Sequence, residues 1–291
     1  MKSPHKNILS TTTILIESTS SGGTSRGTGF MFSFSIAADE AMPMLVTNKH
    51  VLENTTKIKL KISISDPSDH SRKIGTTEYT IKSGVENLIF NHPDANIDLA
   101  AINIAAILND MVNSGIYGHG NMFSENDLVT GEELDDLGIA EEILMVGYPT
   151  GLSDEVNNLP IVRQGVLASD PKVKFNGREQ FMIDCACYHG SSGSPIILKA
   201  KQTVDVKNGA ITVVNRRNAL LGVLFAGPTT TAHGKITIKN IPTTTGEAAQ
   251  FDHLINLGYV IPSRMILELK NEVLARAPGA EVDISKVVTK F

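Results

Sequence analysis

Short segments in which polar and apolar residues alternate are the feature that most constrains the fold of this chain. In residues 57–65, Ile58, Leu60, Ile62 and Ile64 alternate with polar residues, which is typical of a strand with one buried face. Further strands are predicted at 11–17, 29–35, 44–47, 78–83, 99–104, 143–146, 161–168, 181–187, 195–198 and 220–226. Many short strands of this kind predict an all-β protein.

The segments between these strands are rich in turn-forming residues. Residues 18–27 and 228–250 contain many Ser, Thr and Gly residues and predict surface loops. Asn208-Gly209 stands between two alternating segments and predicts a β-hairpin. One long helix is predicted at 263–277, ended by Pro278-Gly279, and its apolar stripe is expected to pack against the core.

A polar, glycine-dotted stretch near the middle divides the chain into two β-rich halves. We therefore predict an N-terminal half at 1–110, a connection at 111–142, a C-terminal half at 143–262, and a helix with tail at 263–291. With 291 residues, of which 41% are hydrophobic, the chain can bury a large core without disulfides or metals.

Charge and composition exclude several classes of partner. The formal net charge is -5 and aromatic residues make up 5% of the chain with no Trp, so a nucleic-acid partner is not expected. No stretch approaches the ~18 apolar residues that cross a bilayer, so no membrane partner is expected. The apolar run at 14–16 is too short for a secretory signal.

The two cysteines, Cys185 and Cys187, lie two residues apart. In a strand they point to the same face, where they are poorly placed for a disulfide, and we expect two small core residues. This cysteine usage and the missing signal predict a cytoplasmic protein.

The segment 189–195 carries the sharpest chemical signal. Gly190 and Gly193 flank Ser192 and allow a tight backbone that exposes the hydroxyl and turns N–H groups toward one point. An esterase elbow needs glycine where Ser194 stands, and it needs alternating strands and helices, so an α/β-hydrolase is disfavoured.

Two further residues could act together with Ser192 as a base and a carboxylate. His50 lies in the segment 45–52, at the end of an apolar strand, and Asp98 leads directly into the apolar strand at 99–104. Alone, each is more typical of a structural residue. Together they matter, because a catalytic serine needs a base, and that base needs a carboxylate to orient it.

Six motifs along the chain resemble those of chymotrypsin-fold serine peptidases, in particular the bacterial trypsin-like and HtrA-like branch. They are Gly27-Thr28-Gly29-Phe30, Val46-Thr47-Asn48-Lys49-His50-Val51, Asp98-Leu99-Ala100-Ala101-Ile102, Val146-Gly147-Tyr148-Pro149, Gly190-Ser191-Ser192-Gly193-Ser194-Pro195 and Leu257-Gly258-Tyr259-Val260-Ile261-Pro262-Ser263. The resemblance covers about residues 10–277. It implies two six-stranded Greek-key β-barrels, at 1–110 and 143–262, followed by a C-terminal helix.

The resemblance also implies roles for individual residues. Ser192 matches the nucleophile, His50 the general base and Asp98 the orienting acid, and Asp94 is the competing acid. The backbone N–H groups of Gly190 and Ser192 match the oxyanion hole.

Some residues depart from the family pattern. Ser191 replaces the acid that pairs with a freed N-terminus in secreted zymogens, so activation by cleavage at the front is not expected. Asn48-Lys49 replaces two small residues and places a charge near the rim of the cleft.

The same positional match predicts the pocket for the substrate's P1 side chain. Ala186 falls at its floor, where an aspartate would select Lys or Arg. The remaining predicted pocket residues are Cys187, His189, Phe225, Ala226 and Gly227. An apolar floor predicts apolar P1 residues such as Val, Leu or Ala, unless the nearby Asp184 turns inward and restores a basic preference.

The resemblance implies a serine endopeptidase that hydrolyses protein or peptide substrates through an acyl-enzyme and uses no cofactor or metal. It leaves a regulatory protein partner open. The alternative is a catalytically silent pseudoprotease that binds peptides. The complete set of His50, Asp98 and Ser192 favours the enzyme, because loss of activity usually removes a member of such a set.

Overall fold

The computed structural model describes residues 8–37, 40–82, 84–207, 210–235 and 248–276, and most of its regular structure is β-strand. The strands are β1 (Thr13–Ser20), β2 (Gly23–Ala37), β3 (Glu40–Thr47), β4 (Lys57–Asp66), β5 (Asp69–Ile81), β6 (Ile89–Asn91), β7 (Ala100–Asn103), β8 (Tyr117–Gly118), β9 (Phe123–Ser124), β10 (Glu142–Gly147), β11 (Ile161–Leu167), β12 (Phe181–Asp184), β13 (Pro195–Leu198), β14 (Lys201–Lys207), β15 (Ala210–Arg216), β16 (Ala219–Ala226), β17 (Thr229–Lys235), β18 (Ala248–Leu254) and β19 (Leu257–Pro262). The α-helices are α1 (Ile8–Thr11), α2 (Lys49–Leu52), α3 (Val85–Leu88), α4 (Ala105–Asn113), α5 (Gly131–Asp135) and α6 (Arg264–Arg276).

The first half of the chain forms a nine-stranded sheet. Its strands follow the order β5-β4-β1-β2-β3-β7-β6, with β8 paired to β4 and β9 paired to β2. Within the described residues this path does not close, because no hydrogen-bonded ladder joins β5 to β6.

The second half forms a closed barrel of six strands. Its order is β10-β11-β12-β19-β16-β13, and β13 returns to pair with β10. The prediction of a mostly β fold with a C-terminal helix is confirmed, and α6 begins and ends within a residue of the predicted range. None of the helices in the described part of the chain is long and apolar enough for a bilayer.

Three apolar clusters stabilise this arrangement. One lies within the first sheet, a second fills the closed barrel, and a third spans both halves. The third cluster takes Phe30 from β2, Val146 from β10 and Val223 from β16, and α6 adds Ile266 and Leu269 to it. The apolar stripe of α6 therefore packs as predicted, and the two halves share one continuous core where they meet.

Two segments predicted as loops contain paired strands instead. In 18–27, residues 18–20 belong to β1, residues 21–22 form a turn, and residues 23–27 belong to β2; the two strands pair in register up to Ser20 and Gly23. Cross-strand hydroxyl contacts support this pairing, with 2.7 Å between the oxygens of Ser18 and Ser25. Of the predicted loop 228–250, residues 236–247 lie outside the described residues; β17 lies before them and pairs along its whole length with β18, which extends past residue 250. A Ser- and Thr-rich composition thus fits a strand as well as a loop, because hydroxyl side chains form cross-strand pairs.

Other local predictions have mixed outcomes. The connection at 111–142 is less irregular than expected, since α4 begins before it and α5 lies inside it. Strands β14 and β15 pair on either side of Asn208-Gly209, but that dipeptide lies outside the described residues. Pro278-Gly279, the predicted end of α6, also lies outside them.

Candidate active site

His50 lies where the first sheet meets the second half. Strand β3 ends at Thr47 and α2 begins at Lys49, so the chain turns at this point. The neighbours Val51 and Leu52 are buried and anchor α2, while the side chain of His50 remains 43% exposed. The imidazole is therefore held by its neighbours and open to a ligand.

Asp98 binds His50 through both carboxylate oxygens. Its Oδ2 lies 2.5 Å from His50 Nδ1, and its Oδ1 accepts a hydrogen bond from the His50 backbone N–H at 3.1 Å. A carboxylate on Nδ1 favours the tautomer with the proton on that nitrogen and leaves Nε2 as the basic nitrogen. The two contacts also fix the direction of the ring.

Asp94, the competing acid, has other partners. Its Oδ1 accepts hydrogen bonds from the backbone N–H of Asn96 at 2.8 Å and from its side-chain amide at 3.0 Å. These hydrogen bonds hold the pKa of Asp94 below its ordinary value. Of the two candidate acids, the structure places Asp98 on His50 and uses Asp94 to shape the loop before it.

Two residues that precede His50 hold this acidic loop, a role that the sequence patterns do not indicate. Asn48 is fully buried, and its side-chain amide donates to the Asp98 carbonyl at 2.7 Å. Lys49 Nζ donates to the Asp94 carbonyl at 2.8 Å. Burial lowers the pKa of Lys49, although Asp98 and Asp94 oppose this shift. The predicted charge at the cleft rim thus binds the loop that carries the acid.

The segment around Ser192 depends on two glycines with left-handed backbone angles. Gly190 has φ +82° and Gly193 has φ +84°. A Cβ on Gly193 would lie 1.9 Å from the Thr28 carbonyl oxygen, and one on Gly190 would lie 2.6 Å from that of Tyr148. Only glycine fits at these two positions without a backbone shift.

Hydrogen bonds to both halves hold the same segment. The Thr28 N–H donates to the Ser192 carbonyl at 2.8 Å, and Thr28 Oγ1 donates to the Gly190 carbonyl at 2.9 Å. On the other side, the Gly193 N–H donates to the Leu224 carbonyl at 2.8 Å. Ser192 therefore sits between β2 of the first sheet and β16 of the barrel.

The N–H groups of Gly190 and Ser192 have no acceptor within the described part of the chain. The peptide group between His189 and Gly190 is oriented by the Thr150 N–H, which donates to the His189 carbonyl at 2.5 Å. Because the carbonyl and N–H of a trans peptide point in opposite directions, this bond directs the Gly190 N–H away from Thr150. Both amides are thus available to an oxyanion.

Contacts around the strand ends bring the Ser192 and His50 segments together. A Cβ on Gly193 would lie 2.5 Å from Thr47 Oγ1, and one on Gly27 would lie 2.6 Å from a methyl carbon of Val51. A cavity of about 630 Å³ opens beside His50 and Asp98, and another of about 370 Å³ lies between Asp98 and Phe225. The structure thus places the Ser192 segment against Thr47, three residues before His50, and leaves open space beside His50 and Asp98.

The predicted P1-pocket residues differ in their surroundings. Cys185 and Cys187 are free thiols, each 3% exposed in the same core cluster, and burial raises the pKa of Cys187 to about 12. Phe225 lines the cavity next to Asp98, and Ala186 is half-buried. His189 is exposed, and Ala226 and Gly227 are half-buried at the end of β16. No group of three or more His, Cys, Asp and Glu residues that could hold a metal ion occurs among residues the structure describes.

The two glycine environments allow a matched stability test. Gly177 has φ +75° with nothing within 4 Å of an added Cβ, whereas Gly193 combines φ +84° with the clash against Thr28. We expect Gly177→Ala to lower the free energy of unfolding by about 1 kcal/mol, the ordinary cost of a left-handed alanine. Gly193→Ala should lower it by about 3 kcal/mol, measured by urea unfolding. Equal losses would show that the Ser192 segment can move away from Thr28.

Comparison with solved structures finds proteases among the proteins to which this chain is similar. A structure titled as the HtrA-type protease AlgW with tripeptide aligns with 16% identity and TM-score 0.50, covering 93% of this chain and 62% of that one. The serine endoprotease from Yersinia pestis aligns with 14% identity and TM-score 0.48, covering 92% and 65%. Tobacco etch virus protease aligns with 14% identity and TM-score 0.47, covering 94% and 83%.

These likenesses concern the fold, and this chain spans less than two thirds of the length of the first two structures. No curated protein sequence matches the chain. The family model of the trypsin-like peptidase domain matches residues 27–204, which include the segments of His50, Asp98 and Ser192. The chain therefore belongs to the trypsin-like peptidase domain family.

Proposed function

We propose that the protein is a serine endopeptidase that cleaves peptide bonds through Ser192, His50 and Asp98. The observation that carries this proposal is the pairing of His50 Nδ1 with Asp98 Oδ2 at 2.5 Å, beside a Ser192 segment that both halves hold. A histidine with only a structural role would be buried, and its ring would not need to be both oriented by a carboxylate and exposed. A serine nucleophile needs a base with that orientation.

In the proposed reaction, these three residues act in turn. His50 Nε2 accepts the proton of Ser192 Oγ as that oxygen attacks the carbonyl carbon of the scissile peptide bond. Asp98 keeps the imidazole in the required tautomer and stabilises the imidazolium that forms. His50 then donates the proton to the leaving amine, and an acyl-enzyme on Ser192 remains. Water attacks this ester with the same base and releases the acid product.

The N–H groups of Gly190 and Ser192 stabilise the negative oxygen of the tetrahedral intermediate. Both lack acceptors among the described residues, so neither must break a hydrogen bond in the protein to bind the oxyanion. Donors fixed before the reaction need no reorganisation as charge develops, which is where most of their catalytic effect arises.

The surroundings of the predicted P1 pocket support an apolar preference. Ala186 carries no charge, and the raised pKa of Cys187 keeps that thiol neutral. Asp184, the nearest acid, is exposed. A Lys or Arg side chain in this pocket would lose its hydration without gaining a counter-ion, which costs several kcal/mol.

We also propose that the nine-stranded sheet of the first half corresponds to the first Greek-key barrel of this fold, as the closed barrel corresponds to the second. In each half, the fourth strand along the chain lies beside the first strand of that half, since β4 pairs with β1 and β13 pairs with β10. This placement is the Greek-key arrangement.

A cytoplasmic location, a protein or peptide substrate, and the lack of nucleic-acid or membrane partners remain predictions from the sequence.

Removal of the nucleophile or the base tests the proposal. We expect Ser192→Ala and His50→Ala to lower kcat on a cleaved peptide by about 10⁴–10⁶-fold while the unfolding curve stays nearly unchanged. Turnover of Ser192→Ala at the wild-type rate would refute the assignment. An unmodified protein that binds peptides without cleaving them would be the silent peptide-binding module instead.

The two acids of the loop provide a matched pair of variants. Asp98→Asn removes the carboxylate from His50 Nδ1 and should lower kcat by about 10⁴-fold, because the wrong tautomer then faces Ser192. Asp94→Asn leaves that pair intact and should change kcat by less than about tenfold. Steady-state kinetics at neutral pH distinguish the two, and a larger effect of Asp94→Asn would reverse the assignment.

A positional-scanning peptide library tests the P1 preference. Because about 1.4 kcal/mol corresponds to a tenfold rate difference, Val, Leu or Ala at P1 should exceed Lys or Arg by at least about tenfold in kcat/KM. Asp184→Asn should give the same profile. A basic preference that disappears in Asp184→Asn would show that this carboxylate turns into the pocket.

A further inference from the structure

Arg163, on β11, reaches the segment that precedes Ser192. Its Nη2 donates a hydrogen bond to Ser191 Oγ at 3.0 Å, and its Nη1 donates to the carbonyl oxygen of Ala186. One guanidinium therefore joins two points of the same loop, one at the predicted floor of the P1 pocket and one directly before the nucleophile. No sequence motif indicates this contact, because strand alternation does not identify the partner of a half-buried arginine.

The guanidinium of Arg163 is half-buried and has no counter-ion among the residues that the structure describes. Within the described residues, Arg163 makes no ion pair with a carboxylate, and its Nε has no hydrogen-bond partner. The ionisable groups nearest to it are Cys185, Cys187 and Tyr188. Burial lowers the pKa of Arg163, yet a guanidinium stays protonated in proteins. Among the described residues, the oxygens of Ala186 and Ser191 are the hydrogen-bond acceptors of this charged group.

Ser191 transmits this contact to the backbone. It is fully buried, and its Oγ also accepts from the Tyr188 N–H at 3.4 Å. The Ser191 N–H donates to the Tyr188 carbonyl, and the Ser191 carbonyl accepts from the Ser194 N–H, both at 3.0 Å. The side chain of Ser191 thus supports the turn that precedes Gly190, and its backbone closes the turns on both sides of the Gly190 and Ser192 amides.

We propose that Arg163 is a positioning residue, whose planar fork holds the 186–191 loop in the conformation that presents the Gly190 and Ser192 amides to an oxyanion. The inference rests on the proposed function, since it gives that oxyanion hole its support. A hydroxyl at Ser191 suits this arrangement, because it accepts from the guanidinium while the adjacent backbone forms the turn. Charge-assisted hydrogen bonds of this kind are stronger than neutral ones, and the fork restricts their direction.

Kinetics of three variants test the proposal. Arg163→Met keeps the length and packing of the side chain but removes both donors, and we expect kcat to fall by about 10- to 100-fold with little change in KM. Ser191→Ala removes one acceptor and should give a smaller loss of the same kind. Arg72→Met serves as the matched control, because Arg72 is exposed on β5 and pairs only with Asp66 in the ion pairs of the described residues. It should keep the wild-type kcat.

The double variant separates a shared contact from two independent ones. If Arg163 acts through Ser191, Arg163→Met with Ser191→Ala should lose no more kcat than Arg163→Met alone. Arg163→Lys, which keeps the charge but not the fork, should recover part of kcat. Additive losses would overturn the proposal. A change confined to KM or to the P1 profile would make Arg163 a substrate-binding residue and would also overturn it.

Amide hydrogen exchange provides a readout that does not depend on turnover. Peptides covering 186–193 should exchange faster in Arg163→Met than in wild-type protein and Arg72→Met, while peptides from β10 and β16 stay protected. Unchanged exchange in 186–193 would overturn the positioning role even if kcat falls. Faster exchange in a protein that never cleaves a peptide would support the positioning role and refute the proposed function.

Discussion

Thr28 makes the hydrogen bonds on which the rest of this site depends. Its N–H and hydroxyl donate to the Ser192 and Gly190 carbonyls, and its hydroxyl also accepts from the Tyr148 N–H at 3.1 Å. Its carbonyl accepts from Thr47 Oγ1 at 2.7 Å. Thr28 is fully buried in β2, so these polar groups must find partners inside the protein. Through Thr28, the end of β3, which precedes His50 in the chain, is joined to the segment that carries Ser192.

The proposed catalytic geometry therefore depends on the junction between the halves. The first sheet contributes His50 and Asp98, and the second half contributes Ser192 and the amides on either side of it. The shared core cluster, with α6 packed on it, joins the two halves in addition to these hydrogen bonds. Small changes in packing at this junction would alter the distance between the proposed base and the proposed nucleophile, and the rate of such a reaction depends steeply on that distance.

The sequence predicts the local parts of this structure better than its long-range contacts. The period-two pattern of residues 57–65 identifies β4, and the apolar stripe identifies α6, because each pattern reflects one buried face. The choice of Asp98 over Asp94 follows from its place before an apolar strand, and the structure sets Asp98 on His50. The ladder of β17 and β18 and the bonds of Asn48 and Arg163 join residues far apart in the chain. Alternation in a sequence carries no information about such partners.

Formation of a covalent adduct tests the central claim most directly. Native protein treated with a fluorophosphonate and analysed by intact mass and peptide mapping should gain one adduct, on Ser192 Oγ. His50→Ala, which lacks the base, should label far more slowly, and unfolded protein should not label. An adduct on another residue, or none on the native protein, would contradict the account of Ser192 as an activated nucleophile.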